Sequence, residues 1–164
     1  STLFPYTTLF RSTNLEIRRV VMKKLDVYLA DLMVLNVKFH NWHWNVEGFT
    51  FKAVHEYLEA LYNDVFEKYD EIAEYQKMTG TCPNASLKEY LAITGVKEIE
   101  SKKVTCEEAI VAAKKELEYL RDSALAIREE ADDFVLANKM EDHVEGYNKQ
   151  IWFMDSMLKE SCCK

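Results

Sequence analysis

Glycine and proline are scarce in this sequence, with four glycines and two prolines among 164 residues. Because both residues interrupt helices and mark turns, their scarcity favours long helices over a β fold. Long hydrophobic runs are also missing: no apolar stretch approaches the roughly 20 residues that a membrane-spanning helix requires. The composition, 48% hydrophobic and 30% charged, predicts one globular, soluble domain.

Positive charge is in deficit. Lys and Arg number 21 against 28 Asp and Glu, so the formal net charge is −7. An acidic chain does not attract nucleic acid through its overall electrostatic field. The same charge suits a protein that attracts cations and also suits plain solubility, so the composition leaves both open.

Paired cysteines are absent as well. The four cysteines are Cys82, Cys106, Cys162 and Cys163. They form no Cys-x-x-Cys pair and no zinc-binding spacing, so we expect reduced thiols in a cytosolic protein. The adjacent pair near the C-terminus is poorly placed to bridge itself, which leaves intermolecular oxidation as the alternative.

The first twelve residues do not fit the pattern of the rest. Residues 2–12, TLFPYTTLFRS, resemble the in-frame translation of a sequencing adaptor, and the sequence does not begin with Met. We therefore expect residues 1–12 to be a cloning or sequencing artefact and residues 13–164 to form one domain. On this interpretation the native N-terminus is missing.

Apolar residues recur at the helical period through most of the chain. They predict an all-α fold of four long helices, with a short helix in the long connection between the second and the third. The predicted long helices span about 13 or 14 to 45, 50–78, 106–130 and 133–159, and the crossover spans 80–104. The apolar stripe of the first helix includes two polar residues, Asn36 and His43.

Local signals mark the ends of these helices. Gly48 lies in a short turn and Thr50 is a predicted N-cap, so the first two helices should pack antiparallel. Capping boxes over 86–89 and 105–108 should start the short helix and the third long helix. Gly80 should end the second helix.

Three of the four histidines lie close together, between residues 40 and 55. The short turn brings His43, near the end of the first helix, towards the start of the second. There, a helix turning about 100° per residue places four polar residues within roughly 100° of one another. They are His55, Glu59, Asp70 and Glu74. Imidazole and carboxylate ligands suit iron, with zinc or manganese as competitors; a solvated charged face is the alternative.

This face cannot form one metal site within a single chain. Glu59 and Asp70 are roughly 16 Å apart at a rise of about 1.5 Å per residue, whereas ligand bonds to first-row metals are about 2 Å long. The spacing is symmetric. The midpoint of residues 59 and 70 is 64.5, and the midpoint of residues 55 and 74 is the same. A second copy packed antiparallel about that point would face Glu59 with the partner's Asp70. It would also face His55 with the partner's Glu74, giving two identical sites.

Glu-x-x-His pairs, which build di-iron sites inside one helical bundle, are missing. The residues three positions before the histidines are Val37, His40, Lys52 and Met140. We therefore expect no di-iron centre inside the bundle of one subunit.

Other polar and aromatic residues admit two interpretations. His40 lies one turn before His43 and is either structural or an extra ligand. Trp44 is expected in the core. The alternative is a redox role, in which its indole would quench oxidising equivalents from an iron–peroxide centre beside His43. His143 has no partner in the pattern and is expected on the surface. The basic residues of the early first helix form either a solvated face or a DNA contact; they are Arg18, Arg19, Lys23 and Lys24.

The histidine and acid series consists of His43-Trp44 followed by His55, Glu59, Asp70 and Glu74. It resembles the ferroxidase motif of the Dps family, the miniferritins. The similarity runs from about residue 15 to 158 and includes SLKEYL (86–91) and NKQIWFM (148–154). Many relatives carry Asp where this chain has Glu59; the extra methylene should alter the geometry and preserve the chemistry.

The resemblance implies a ferritin-like four-helix bundle, assembled from two-fold dimers into a hollow homo-oligomeric shell of twelve subunits. The metal ligands and catalytic residues it implies are His43, His55, Glu59, Asp70 and Glu74. The expected function is a cytoplasmic ferroxidase that oxidises Fe(II) to Fe(III), with hydrogen peroxide preferred over dioxygen. It would store the ferric mineral and protect against oxidative damage. The alternative is a nucleoid protein that compacts DNA and holds an incidental metal site.

Overall fold

A computed structural model describes the backbone of residues 6–159 and the side chains of residues 15–159. Within these residues the helices are α1 (Tyr6–Asn45), α2 (Phe51–Met78), α3 (Leu87–Ile93), α4 (Cys106–Glu130) and α5 (Phe134–Met157). Two short strands, β1 (Val46–Glu47) and β2 (Val104–Thr105), pair in parallel.

The predicted all-α fold with a long crossover is confirmed, and α2, α4 and α5 agree with their predicted bounds to within two residues. The first helix differs, because α1 begins at Tyr6 rather than at 13 or 14. Residues 1–5 lie outside the described part, and the interpretation of residues 1–12 as an artefact stays a prediction. Cys82 and Cys106 form no disulfide within the described part of the chain, and Cys162 and Cys163 lie outside it.

Four long helices form the bundle. α1 packs against α2 and α4, α4 packs against α5, and α3 lies on α1. Each long helix contributes fully buried side chains to one core, including Leu25, Leu32, Phe39, Leu58, Leu61, Leu117, Leu120, Met140 and Tyr147. Burying such a side chain contributes about 1.5–3 kcal/mol, so the apolar stripes account for most of the packing energy. Across residues 6–159, no helix has both the length and the apolar character to cross a membrane.

The predicted capping boxes are both present. The Ser86 hydroxyl accepts a hydrogen bond from the Glu89 amide at 3.3 Å, and the Thr105 hydroxyl accepts one from the Glu108 amide at 3.2 Å. In each box the glutamate carboxylate accepts a hydrogen bond from the backbone amide of the capping residue. These reciprocal bonds satisfy amides that a helix start leaves without a partner.

The link between α1 and α2 differs in detail from the prediction. Gly48 has φ of 139°, a backbone conformation that favours glycine. Thr50 occupies the N-cap position, but the expected side-chain capping bond is not formed. The first turn is closed instead by the Phe51 amide, which donates to the Gly48 carbonyl at 3.0 Å. The parallel pairing of β1 with β2 was not predicted, because its two strands lie far apart in sequence.

The crossover is fixed to α1 by the buried side chain of Asp31. Its carboxylate accepts hydrogen bonds from the Thr94 hydroxyl at 2.6 Å, the Gly95 amide at 2.8 Å and the Tyr119 hydroxyl at 2.8 Å. Burial raises the pKa of Asp31, although these three donors oppose the shift. Satisfied buried carboxylates of this kind specify one packing arrangement, since an unpaired one is costly.

A change at Gly95 should destabilise the protein, whereas a change at Gly146 should not. A Cβ at Gly95 would lie 2.3 Å from the Tyr119 hydroxyl, which the bond to Asp31 holds in place. We expect Gly95→Ala to lower the free energy of unfolding by about 1–3 kcal/mol through overpacking. In the matched control Gly146→Ala, the nearest atom is 3.7 Å away. Alanine there should add about 0.5–1 kcal/mol of helix stability. Thermal unfolding midpoints measure both; equal midpoints would contradict the expectation.

Candidate metal centre

The turn between α1 and α2 brings His43 and His55 into contact, as the sequence predicted. Their rings stack with centroids 3.6 Å apart and planes inclined by 20°. His43 is buried at the end of α1, and His55 is half-buried on the second turn of α2. The two imidazoles therefore form one unit at the end of the first helical hairpin.

Reciprocal hydrogen bonds fix the tautomer of both rings. The Nδ1 atom of His43 lies 2.8 Å from the His55 carbonyl oxygen, and the Nδ1 atom of His55 lies 2.8 Å from the His43 carbonyl oxygen. A carbonyl only accepts, so each Nδ1 carries the hydrogen. In the neutral rings both Nε2 lone pairs are then available to a metal ion. This is the arrangement that metal-binding histidines commonly adopt.

The same contacts define the register of the first hairpin. Asn36 Nδ2 donates to the Tyr62 carbonyl at 2.7 Å. Asn36 lies seven residues before His43 on α1, and Tyr62 lies seven residues after His55 on α2. The two contacts therefore belong to one antiparallel register. This antiparallel register explains the polar residue Asn36 in an otherwise apolar stripe.

The predicted acidic ligands do not meet the histidines within one chain. Glu59, Asp70 and Glu74 are all exposed on α2. Because α2 is one continuous helix, the estimate of roughly 16 Å between Glu59 and Asp70 still applies. Within residues 15–159 of a single chain, no three His, Cys, Asp or Glu side chains are grouped closely enough to hold a metal ion. One chain therefore offers the histidine pair towards one end of α2 and two acids towards the other, and the ligand roles stay predictions.

Further aromatic and imidazole rings pack beside the histidine pair. The His40 ring stacks on Tyr62 with centroids 3.7 Å apart, and the Tyr62 ring meets His43 edge-on at 5.3 Å. His40 Nδ1 donates to the Asn36 carbonyl at 2.8 Å. These contacts give His40 a structural place beside the site; whether it is also a ligand stays a prediction.

The expectation that Trp44 lies in the core is wrong for the single chain. Trp44 is 71% exposed, whereas Trp42 is only 6% exposed. Two residues along a helix correspond to a rotation of about 200°, so only one of these side chains can face the core. Trp44 lies 5.3 Å from the His40 ring, on the outer side of the site.

The expectation that His143 lies on the surface is also wrong. His143 is 2% exposed and belongs to the buried stripe of α5, whose members are Leu136, Met140, His143, Tyr147, Ile151 and Met154. Its Nε2 atom lies 2.9 Å from the Glu71 carboxylate and its Nδ1 atom lies 3.0 Å from the Tyr28 hydroxyl. The three- and four-residue spacing of that stripe was the sequence signal that could have placed this histidine inside.

The basic residues of early α1 are partly engaged within the chain. Lys24 pairs with Glu130 at 2.6 Å, and an Arg18 guanidinium nitrogen lies 3.4 Å from the Thr79 carbonyl oxygen. Two of the four positive charges are therefore held by the bundle itself. This favours the solvated-face interpretation over a DNA contact.

The sequence profile described as ferritin-like domain matches residues 22–161. Together with a four-helix bundle, a long crossover and a histidine pair at the end of the first hairpin, this match defines a ferritin-like protein. The crystal structure of antigen TpF1 from Treponema pallidum has a TM-score of 0.86 and 34% identity over 88% of this chain and 95% of that chain.

Curated relatives narrow the class. Antigen TpF1 of Treponema pallidum (strain Nichols) is 36% identical over 142 residues, which are 85% of this chain and 80% of that protein. The DNA protection during starvation protein of Brevibacillus brevis is 32% identical over 149 residues, which are 87% of this chain and 97% of that protein. The chain belongs to the Dps family of ferritin-like proteins.

The stability of the protein should depend on pH through His143. Burial lowers the pKa of His143 below its ordinary value of 6.5, although the hydrogen bond to Glu71 opposes the shift. Below about pH 6.5 the unfolded state therefore binds more protons than the folded state, and stability falls as pH falls. Between about pH 7.5 and about pH 5.5, we expect the free energy of unfolding to fall less in His143→Gln than in the wild type. Urea unfolding of the metal-free protein measures it.

The matched control is Tyr147→Phe, which removes another member of the same buried cluster. Burial holds the pKa of Tyr147 well above 10.0, so this group does not titrate in the tested range. The control should lower stability at every pH and keep the wild-type slope. A wild-type slope in His143→Gln would show that His143 is not the titrating group.

Proposed function

We propose that this protein is a ferroxidase that oxidises Fe(II) at sites shared by two subunits and stores the ferric product. The observation that carries the proposal is the His43–His55 pair, whose tautomer leaves both Nε2 atoms free for a metal. The Dps family membership supports iron as the metal. Fe(II) is the substrate, and zinc or manganese would compete for the same ligands.

Two copies of α2 packed antiparallel would complete the ligand set. The histidines and Glu59 of one subunit would face Asp70 and Glu74 of the partner subunit, and the reverse would hold at a second, identical site. The exposure of all three acids in the single chain supports this arrangement, because each remains accessible to a second copy. A two-fold contact of this kind produces sites in pairs.

The proposed ligands have distinct roles in the reaction. The neutral imidazoles of His43 and His55 hold Fe(II), while the carboxylates favour Fe(III) over Fe(II) by their negative charge. Two Fe(II) ions give one electron each to hydrogen peroxide, whose O–O bond breaks to form two waters with two protons. Dioxygen is the alternative oxidant. Removing Fe(II) and peroxide together would limit hydroxyl-radical formation.

Mixed dimers provide the sharpest test of the shared site. One variant carries His43→Ala and His55→Ala, and the other carries Asp70→Ala and Glu74→Ala. Each homodimer should be inactive, because every site lacks either its histidines or its acids. In a heterodimer one site loses both sets and the other is fully native. Ferroxidase activity should therefore recover to about half of the sites in a pure heterodimer, by two-fold symmetry.

The control for this test is a mixture of the two homo-oligomers without subunit exchange, which should stay inactive. Circular dichroism confirms that both variants fold. Verified mixed dimers without recovered activity would mean that the site lies within one chain and that the antiparallel pairing is wrong.

In the proposed function, twelve subunits assemble in the cytoplasm into a closed shell that holds the mineral inside. A single chain carries half-sites only, so a stable monomer should not oxidise iron at full rate. Size-exclusion chromatography with light scattering should give a mass about twelve times the 19.2 kDa subunit. A monomer with full activity would contradict the proposal.

A further inference from the structure

A buried chain of hydrogen bonds joins α1, α5 and α2 away from the histidine pair. The Tyr147 and Tyr28 hydroxyl oxygens are 2.6 Å apart, and the Tyr28 hydroxyl is 3.0 Å from His143 Nδ1. His143 Nε2 is 2.9 Å from the Glu71 carboxylate, which Lys139 also contacts. The two tyrosines are fully buried, and the proposed ferroxidase reaction uses neither of them.

The chemistry of each group fixes the direction of these bonds. The Glu71 carboxylate only accepts, so neutral His143 carries its hydrogen on Nε2 and presents Nδ1 as an acceptor. The Tyr28 hydroxyl therefore donates to His143, and the Tyr147 hydroxyl donates to Tyr28. Among the described residues, Tyr28 is the only tyrosine hydrogen-bonded to a histidine.

The register of α1 and α2 places this chain beside the proposed acidic ligands. The pairing of Asn36 with Tyr62 continues by eight residues to Tyr28 on α1 and residue 70 on α2. The hydrogen bond from Gln76 to Asp26 at 2.8 Å shows that α1 and α2 stay in contact about one helical turn beyond this level. A helix with its side chains is about 10–12 Å across, so Tyr28 lies roughly one helix thickness behind Asp70.

We propose that Tyr28 of the subunit supplying Asp70 and Glu74 donates an electron to hydrogen peroxide at that site, with His143 as its proton acceptor. This step rests on the proposed ferroxidase function and applies when a site holds a single Fe(II). One electron comes from Fe(II) and one from Tyr28, the O–O bond of peroxide breaks, and two solvent protons complete two waters. The phenol proton moves to His143 Nδ1, leaving Fe(III), a neutral tyrosyl radical and an imidazolium.

The surroundings favour this transfer at Tyr28. Burial raises the pKa of its phenol far above the ordinary value, and the nearby carboxylates of Asp64, Asp31 and Glu71 raise it further. The phenol thus keeps its proton until it is oxidised. Burial lowers the pKa of His143, which favours the neutral imidazole. It can therefore take the proton, and the imidazolium formed is stabilised by Glu71.

The consequence is a second electron for peroxide at an incompletely filled site. With one Fe(II) alone, a one-electron reduction of peroxide would release a hydroxyl radical. With Tyr28 as co-donor, both oxygen atoms leave as water and the oxidising equivalent is held inside the bundle. The proposal therefore gives the buried chain a protective function that the metal ligands do not provide.

Rapid-freeze electron paramagnetic resonance tests the proposal. The assembled protein, loaded with one Fe(II) per site, is mixed with hydrogen peroxide while Fe(II) oxidation is followed optically. We expect a tyrosyl radical in the wild type and its loss in Tyr28→Phe. The matched control Tyr90→Phe removes a buried tyrosine that bonds to Tyr69 and to the Asn84 carbonyl, neither of which is a strong base. That control should keep the wild-type radical yield.

A second measurement keeps the test valid if the Tyr28→Phe substitution disturbs folding. A fluorinated tyrosine placed at position 28 should split the radical signal by fluorine hyperfine coupling, which identifies the radical site in an otherwise native chain. An unsplit signal, or an unchanged tyrosyl signal in folded Tyr28→Phe, overturns the proposal. Fe(II) oxidation without any tyrosyl radical overturns it while the ferroxidase function stands. A wild-type protein that fails to oxidise Fe(II) overturns both.

Discussion

The antiparallel register of α1 and α2 is the constraint on which the candidate site depends. A slip of one residue would rotate α2 by about 100° relative to α1 and separate His55 from His43. The reciprocal histidine bonds contribute only about 0.5–1.5 kcal/mol each. The apolar stripe is stronger, because each of its buried leucines contributes about 1.5–3 kcal/mol. Core packing therefore sets the register, and the histidine pair depends on it.

Buried polar groups then select one packing arrangement among those that the apolar stripes allow. Buried Asp31 and His143, and half-buried Asn36, each have specific hydrogen-bond partners on another element. A buried polar group without a partner costs about 1–3 kcal/mol. Alternative packings that bury the same apolar area but break these contacts are therefore disfavoured. In the crossover, this effect acts through Asp31, alongside the buried side chains of Tyr90 and Val96.

The helices and their starts were predictable because their signals are local. Apolar spacing and capping boxes act within a few residues, and both boxes form as the sequence indicated. The contact of His43 with His55 was also predictable, since a short turn joins their helices. The errors have non-local causes. The β1–β2 pairing joins segments far apart in sequence, and the partners of His143 come from α1 and α2. For Trp44, one turn of sequence holds two tryptophans, and only the packed helix selects Trp42 for the core.

Two consecutive residues of α2, Asp70 and Glu71, face different directions and have different roles. Asp70 is exposed on the face that carries the other proposed acids, whereas Glu71 turns towards α5 and holds His143 and Lys139. A rotation of about 100° between neighbours is enough to separate these two roles. Under the proposed two-fold arrangement, each α2 contributes His55 and Glu59 towards one end and Asp70 and Glu74 towards the other. Both ends then require the same straight, continuous helix. The absence of glycine and proline between Thr50 and Met78 meets that requirement, because either residue would weaken or bend α2 between its two half-sites.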